Sequence, residues 1–240
     1  MARAQVGFLQ GLFGSVPIVL AYFPVAVSFG VTASKSGFSV AEATFMSLVI
    51  YAGASQFLAT TLLAGGAGPL LAIVSLLTLN ARHLLYAPAL LERVRRTQHG
   101  RQPLRTPWLW AHGLTDEVFA SALGRLAIKD ASWSERWQVG IGLGAYLAWV
   151  SGTAVGALLG GGAFERWPAV DAALAFLMPT LFLSLLLAMV QRHHWPVVVT
   201  AVVGFAVGSA LFSASSGILL GMLAGGLVGM FLAPREAVQT

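Results

Sequence analysis

Residues 45–60 read FMSLVIYAGASQFLAT. The run is apolar enough to lie in a membrane, yet Tyr51, Gly53, Ser55 and Gln56 stand at its middle. Polar groups at membrane depth have no bulk water to pair with. They need another part of the protein, a ligand or a water-filled cavity. Two more stretches share the anomaly, Thr78–Tyr86 (TLNARHLLY) and His112–Arg125 (HGLTDEVFASALGR).

The rest of the chain gives those stretches their setting. Of 240 residues, 57% are hydrophobic and 10% charged, where soluble domains run near about 25% charged. Several apolar runs reach the roughly twenty residues that cross a ~30 Å hydrocarbon core. The predicted fold is all-α: a polytopic helical protein of the lipid bilayer, one permease domain over residues 1–240. The formal net charge of +5 reads as arginines gathered in cytoplasmic loops rather than nucleic-acid binding, because no basic stripe with interleaved aromatics is present. With no cysteine, disulfides and thiolate metal sites are excluded. The N-terminal apolar stretch lacks a small-x-small cleavage site and reads as a retained first span.

Eight segments follow from hydropathy and punctuation. Segment 1, about 8–32, contains Pro17 and Pro24 and reaches Gly30 at an expected helix end, which fits either a kinked span or a helix broken at Pro24 and Gly30 whose freed backbone lines a site. Segment 2, about 40–63, opens on a Ser39-x-x-Glu42 capping box. Its Thr44, Ser47, Tyr51 and Ser55 make one polar stripe at helical spacing, and Gly53 permits close approach or a local break. Segment 3, about 70–91, carries a matching stripe of Ser75, Thr78, Arg82 and Tyr86, with Asn80 and His83 on another face. A basic loop at 92–107 is placed in the cytoplasm. Segment 4, about 108–126, holds His112, Asp116, Glu117 and Arg125 and is too charged to face lipid. If it crosses only in part, all basic residues outside the membrane but Arg3 and Arg166 fall on one side. That predicts seven full spans plus one partial or re-entrant segment, N-terminus outside; the alternative is eight spans. Segments 5 to 8 follow at about 137–159, 170–190, 196–212 and 216–232, the last two as a tight hairpin. Glycines at 140, 144, 152, 156 and 160, and again at 221, 225 and 229, make small-residue ridges, for internal packing or for a second subunit.

Motifs for covalent chemistry are missing. There is no GxxxxGK[ST] loop and no HExxH. Gly53-Ala54-Ser55 starts a nucleophile elbow that Phe57 does not complete. His112 and Asp116 are too few for a metal. The expectation is no enzyme, no cofactor and no metal. Buried polarity without a catalytic constellation fits a path for a polar or zwitterionic solute. Tyr51, Gly53, Ser55, Gln56, Asn80 and Arg82 are its candidate substrate-binding residues. Asp116 and Glu117 are candidates for coupling, or for pairing with Arg82, or for facing cytoplasmic water. Gln56 is expected to contact solute rather than a neighbouring helix.

PVAVSFG at 24–30, FMSLVIYAGASQF, TLNARHLLYAPAL, LTDEVFA and AYLAWVSGTAVGALLG together resemble the AzlC family, the large subunits of bacterial branched-chain amino acid exporters. The matching positions are Pro24, Gly30, Gly53, Gln56, Asn80, Arg82, Asp116 and Glu117. The resemblance implies a multi-pass protein of the bacterial inner membrane, exporting leucine, isoleucine, valine or close analogues, and assembled with a small hydrophobic AzlD-type subunit. The combined expectation is a secondary exporter driven by the proton gradient. The alternatives are a passive amino-acid channel and a non-transporting assembly subunit.

Overall fold

The computed structural model describes residues 7–98, 107–128, 133–160, 162 and 167–232. Of the basic loop, residues 99–106 lie outside these, as do Arg3, Lys129, Arg166 and Arg235. Contacts divide the chain into two compact units, Met1–Phe57 with Asn80–Met178, and Leu58–Leu79 with Pro179–Thr240.

All described elements are helical: α1 (Phe8–Gly14), α2 (Val16–Lys35), α3 (Val40–Val49), α4 (Gly53–Ala64), α5 (Pro69–Asn80), α6 (His83–Gln98), α7 (Pro107–His112), α8 (Asp116–Ala127), α9 (Glu135–Leu159), α10 (Pro168–Met189), α11 (Trp195–Leu211) and α12 (Ala214–Leu232). A short 3₁₀ turn, Arg192–His194, precedes α11. Among the described residues five helical stretches are long and apolar enough to cross a membrane. They are Val16–Lys35, Pro69–Arg96, Glu135–Leu159, Arg192–Leu211 and Ala214–Leu232.

The first unit is built on α9. Gly140, Gly144, Gly152, Gly156 and Gly160 are not an open ridge; α1 and α2 fill it. A Cβ at Gly140 would stand 2.2 Å from the Phe8 carbonyl oxygen, and one at Gly156 2.0 Å from that of Val27. Such backbone-to-backbone approach is what small residues at helix interfaces permit. Gly30 belongs to this seam, since its Cβ would lie 2.2 Å from the Thr153 oxygen. The expected helix break at Pro24 and Gly30 is therefore corrected. The helical run of α2 passes through both residues to Lys35, and the discontinuity falls at Ser15, one residue before α2. Pro17 sits in the first turn of α2, where a missing N–H costs nothing. A buried cluster of Leu90, Trp110, Val118, Trp133, Trp137 and Ile141 ties α6, α7 and α8 to α9.

In the second unit α11 and α12 form the expected hairpin. Gly221 and Gly225 lie against Ala201 and Phe205, so here too the glycines serve packing inside the chain.

Segments 2, 3 and 4 are not continuous helices. α3 stops at Val49 and α4 starts at Gly53; α5 stops at Asn80 and α6 starts at His83; α7 stops at His112 and α8 starts at Asp116. Each interruption falls inside one of the three polar stretches. The two stripes read as single helical faces are thereby corrected. A continuous stripe requires a continuous helix, and Tyr51 with φ of 41° stands in the left-handed region that ends one. The Ser39 capping box is present: Ser39 Oγ accepts from Glu42 N–H at 3.2 Å, and Glu42 accepts from Ser39 N–H at 2.8 Å.

Candidate functional site: three interrupted helices meet

The interruptions lie together in the first unit. Ser55 Oγ, in the first turn of α4, donates to Asn80 Oδ1 at the end of α5, 2.7 Å. From the second interruption Arg82 reaches the start of α8, with Nη2 2.9 Å from Asp116 Oδ2. The third closes on the first, where the rings of His112 and Tyr51 lie 6.4 Å apart. Three segments, each interrupted near its middle, thus face one another. Unwound backbone at membrane depth is tolerated only where it is buried in protein or lines a cavity.

Local chemistry accounts for the third break. Thr115 caps α8, its Oγ1 accepting from Val118 N–H at 3.4 Å. Asp116 and Glu117 then occupy the first turn, where the positive end of the helix dipole favours carboxylates. Both acids have phenolic partners. Tyr86 on α6 donates to Asp116 Oδ1, and its ring stacks on Phe119 at 4.7 Å. Tyr22 on α2 donates to Glu117 Oε2 and also bonds Thr115 Oγ1 at 2.7 Å. The Arg82 and Asp116 side chains are 45% and 43% exposed. The pair is therefore reachable from outside the chain.

The first break is held by a buried polar chain. Gln56 is fully buried. Its Nε2 donates to Ser47 Oγ at 2.8 Å, and its Oε1 accepts from Trp149 Nε1 at 2.7 Å. Ser47 Oγ in turn lies 2.7 Å from Thr153 Oγ1. α3, α4 and α9 are linked through one amide. The expectation that Gln56 contacts solute rather than a neighbouring helix is corrected: the amide is spent on α3 and α9, because a buried amide must pair with something. Gly53 has a related reason. A Cβ there would stand 2.5 Å from the Trp149 ring, so glycine lets the indole lie across the start of α4. Tyr51 is 5% exposed and its hydroxyl has no hydrogen-bond partner among the described residues; its ring meets Tyr146 edge-on at 4.8 Å.

Of the residues singled out from sequence, Tyr51, Ser55, Asn80, Arg82, Asp116 and Glu117 gather around the breaks. Gly53 and Gln56 shape the first break from behind, and Pro24 and Gly30 belong to α2. Sequence reasoning passed over Tyr22, Trp149 and Thr153. Tyr22 lies between two prolines of an apolar span, and Trp149 and Thr153 stand four apart on α9. A polar atom in mid-span was the signal available. No group of three or more metal-ligating side chains occurs among the described residues.

The model of the family described as AzlC protein matches residues 17–162, from α2 to the end of α9 and so across all three breaks. The chain belongs to the AzlC family. Among its relatives, "Inner membrane protein YgaZ" of Escherichia coli (strain K12) is 43% identical over 97% of this chain and 93% of its own length. An "Uncharacterized membrane protein" of Archaeoglobus fulgidus is 42% identical over 92% of this chain and 93% of its own. "Branched-chain amino acid transport protein AzlC" of Bacillus subtilis (strain 168) is 27% identical over 99% of this chain and 89% of its own. No solved structure matches. Family and apolar helices together make this AzlC-family chain a multi-pass inner-membrane protein.

Proposed function

We propose that this AzlC-family protein is a secondary exporter of branched-chain amino acids, and that the solute binds where the three interrupted helices meet. The observation that carries the reading is the Arg82–Asp116 pair at that meeting point. A zwitterionic amino acid is the complement of such a pair. Its carboxylate takes the Arg82 guanidinium, which holds carboxylates in a two-pronged fork, and its ammonium takes Asp116. Tyr51, Ser55 and Asn80 supply neutral polar contacts beside it. The choice of branched-chain side chains rests on the name of the Bacillus subtilis relative.

Coupling follows from competition. A proton arriving at Asp116 from the outer side removes the ammonium's partner and favours release there; on the inner side the ionised acid takes the next solute. Glu117, bonded to Tyr22, is the neighbouring carboxylate through which that proton passes. A small hydrophobic AzlD-type subunit completes the complex, and the basic stretch at 92–107 faces the cytoplasm.

Counterflow of labelled leucine in proteoliposomes, with and without the small subunit, tests the reading. Arg82→Gln and Asp116→Asn are each expected to abolish counterflow at unchanged protein level, and Glu117→Gln to spare exchange while abolishing proton-driven export. Wild-type counterflow in both pair variants would overturn the assignment of the site.

A further inference from the structure

Asp116 and Glu117 are neighbours in the first turn of α8, yet they have different partners. Successive residues on a helix point about 100° apart. Asp116 turns to Arg82 and to the Tyr86 hydroxyl of α6, whereas Glu117 turns to the Tyr22 hydroxyl of α2.

Hydrogen counting fixes the direction of the bonds at Tyr22. A phenol has one hydrogen to give, and an ionised carboxylate can only accept. The Tyr22 O–H therefore goes to Glu117, and in the 2.7 Å contact with Thr115 the threonine O–H donates to the phenol oxygen. The Thr115 oxygen accepts from Val118 N–H at the same time. Thr115, Tyr22 and Glu117 thus form one directed chain. When Glu117 takes a proton the chain can reverse. The carboxyl O–H then donates to the phenol oxygen, and the phenol O–H turns to the second lone pair of Thr115 Oγ1. The one covalent bond made is the carboxyl O–H.

Tyr22 is the fixed end of that chain. Its ring meets Trp149 edge-on at 5.5 Å, and Trp149 is tied to Gln56. Beside it α2 is seated closely on α9, where a Cβ at Gly152 would stand 2.9 Å from the Phe23 carbonyl oxygen. Glu117, by contrast, follows directly on the interruption between α7 and α8.

We propose that Tyr22 is a positioning residue for proton coupling: anchored on the α2–α9 seam, its hydroxyl holds the Glu117 carboxylate on the α2 side, so that Asp116 alone answers Arg82 and the solute. The inference rests on the proton route through Glu117 proposed above. An O–H donated to a carboxylate favours its charged form, so Tyr22 also sets the pH at which Glu117 takes up its proton. The other charged or titratable groups around Glu117 are Asp116 beside it, Arg82 on Asp116, His83 and Tyr86 from α6, and Tyr51 from the first break. His112 and Tyr146 stand behind Tyr51, and α9 meets α8 through Trp137 and Ile141, neither of which ionises. Tyr22→Phe leaves all of these in place.

Proton-driven leucine transport in proteoliposomes tests this, measured against the pH of the proton-donating side at a constant pH difference. Tyr22→Phe keeps the ring on Trp149 and removes the hydroxyl. Its half-maximal pH is expected to move up by about one unit, with apparent leucine affinity in counterflow at equal pH within about twofold of wild type. Glu117→Asp draws the carboxyl back by one methylene without touching α2, and is expected to shift the midpoint in the same direction. The double variant is expected to go no further than the single ones, as for two residues that act through one contact. The thermal midpoint of each variant checks folding. An unshifted pH midpoint in folded Tyr22→Phe or Glu117→Asp protein, with driven transport lost in Glu117→Gln, would overturn this inference alone. So would additive shifts in the double variant. Driven transport intact in Glu117→Gln would overturn the proton route, and this inference with it.

Discussion

At the scale of single residues, the site separates groups that bind from groups that hold. Tyr51 is buried with its hydroxyl unpartnered, and removing an unpaired buried polar atom costs no hydrogen bond. Tyr51→Phe is expected to leave thermal stability unchanged or slightly raised while lowering apparent leucine affinity in counterflow. Gln56 is the opposite case. Gln56→Leu strands the Trp149 indole N–H, a loss of about 1–3 kcal/mol, and is expected to lower the unfolding midpoint and membrane abundance. Affinity in the surviving protein should stay near wild type. Arg82→Ala removes a partner from Asp116, yet that acid keeps the Tyr86 hydroxyl and is half exposed. Abundance is therefore expected to hold while counterflow disappears. A collapse in abundance would mark the pair as structural.

At the scale of elements, the seam between α2 and α9 and the three interruptions carry the account. Gly156→Val would drive a side chain into the Val27 carbonyl, 2.0 Å from where its Cβ must stand. Overpacking against backbone costs more than the ~1–3 kcal/mol typical of flexible cores, and loss of folded protein on size-exclusion chromatography is expected. Glycines on one face of α9 were legible as a packing ridge, because spacing alone puts them there; that α1 and α2 occupy the ridge was not, since a ridge does not name its partner. The polar stretches were legible as anomalies. Of their interruptions only the first was anticipated, as one of two readings of Gly53. Ala81–Arg82 contains neither proline nor glycine, so local propensity gives no stop signal there. What ends α3 is tertiary: Trp149 lies across Gly53 and ties Gln56 to α9. At Pro24 the error ran the other way. A proline marked as a breaker sits inside α2, in a helix held by its packing on α9.

At the scale of the whole molecule, the central claim is that three interrupted helices meet and that their meeting point is where solute passes. The chain's lack of cysteine makes a direct measurement possible. Ser55 Oγ and Asn80 Oδ1 lie 2.7 Å apart, across the first and second interruptions. In a Ser55→Cys/Asn80→Cys double variant, oxidation is expected to form one intramolecular disulfide, to abolish leucine counterflow in proteoliposomes, and to release both effects on reduction. Full counterflow in the folded, disulfide-locked form would contradict the account.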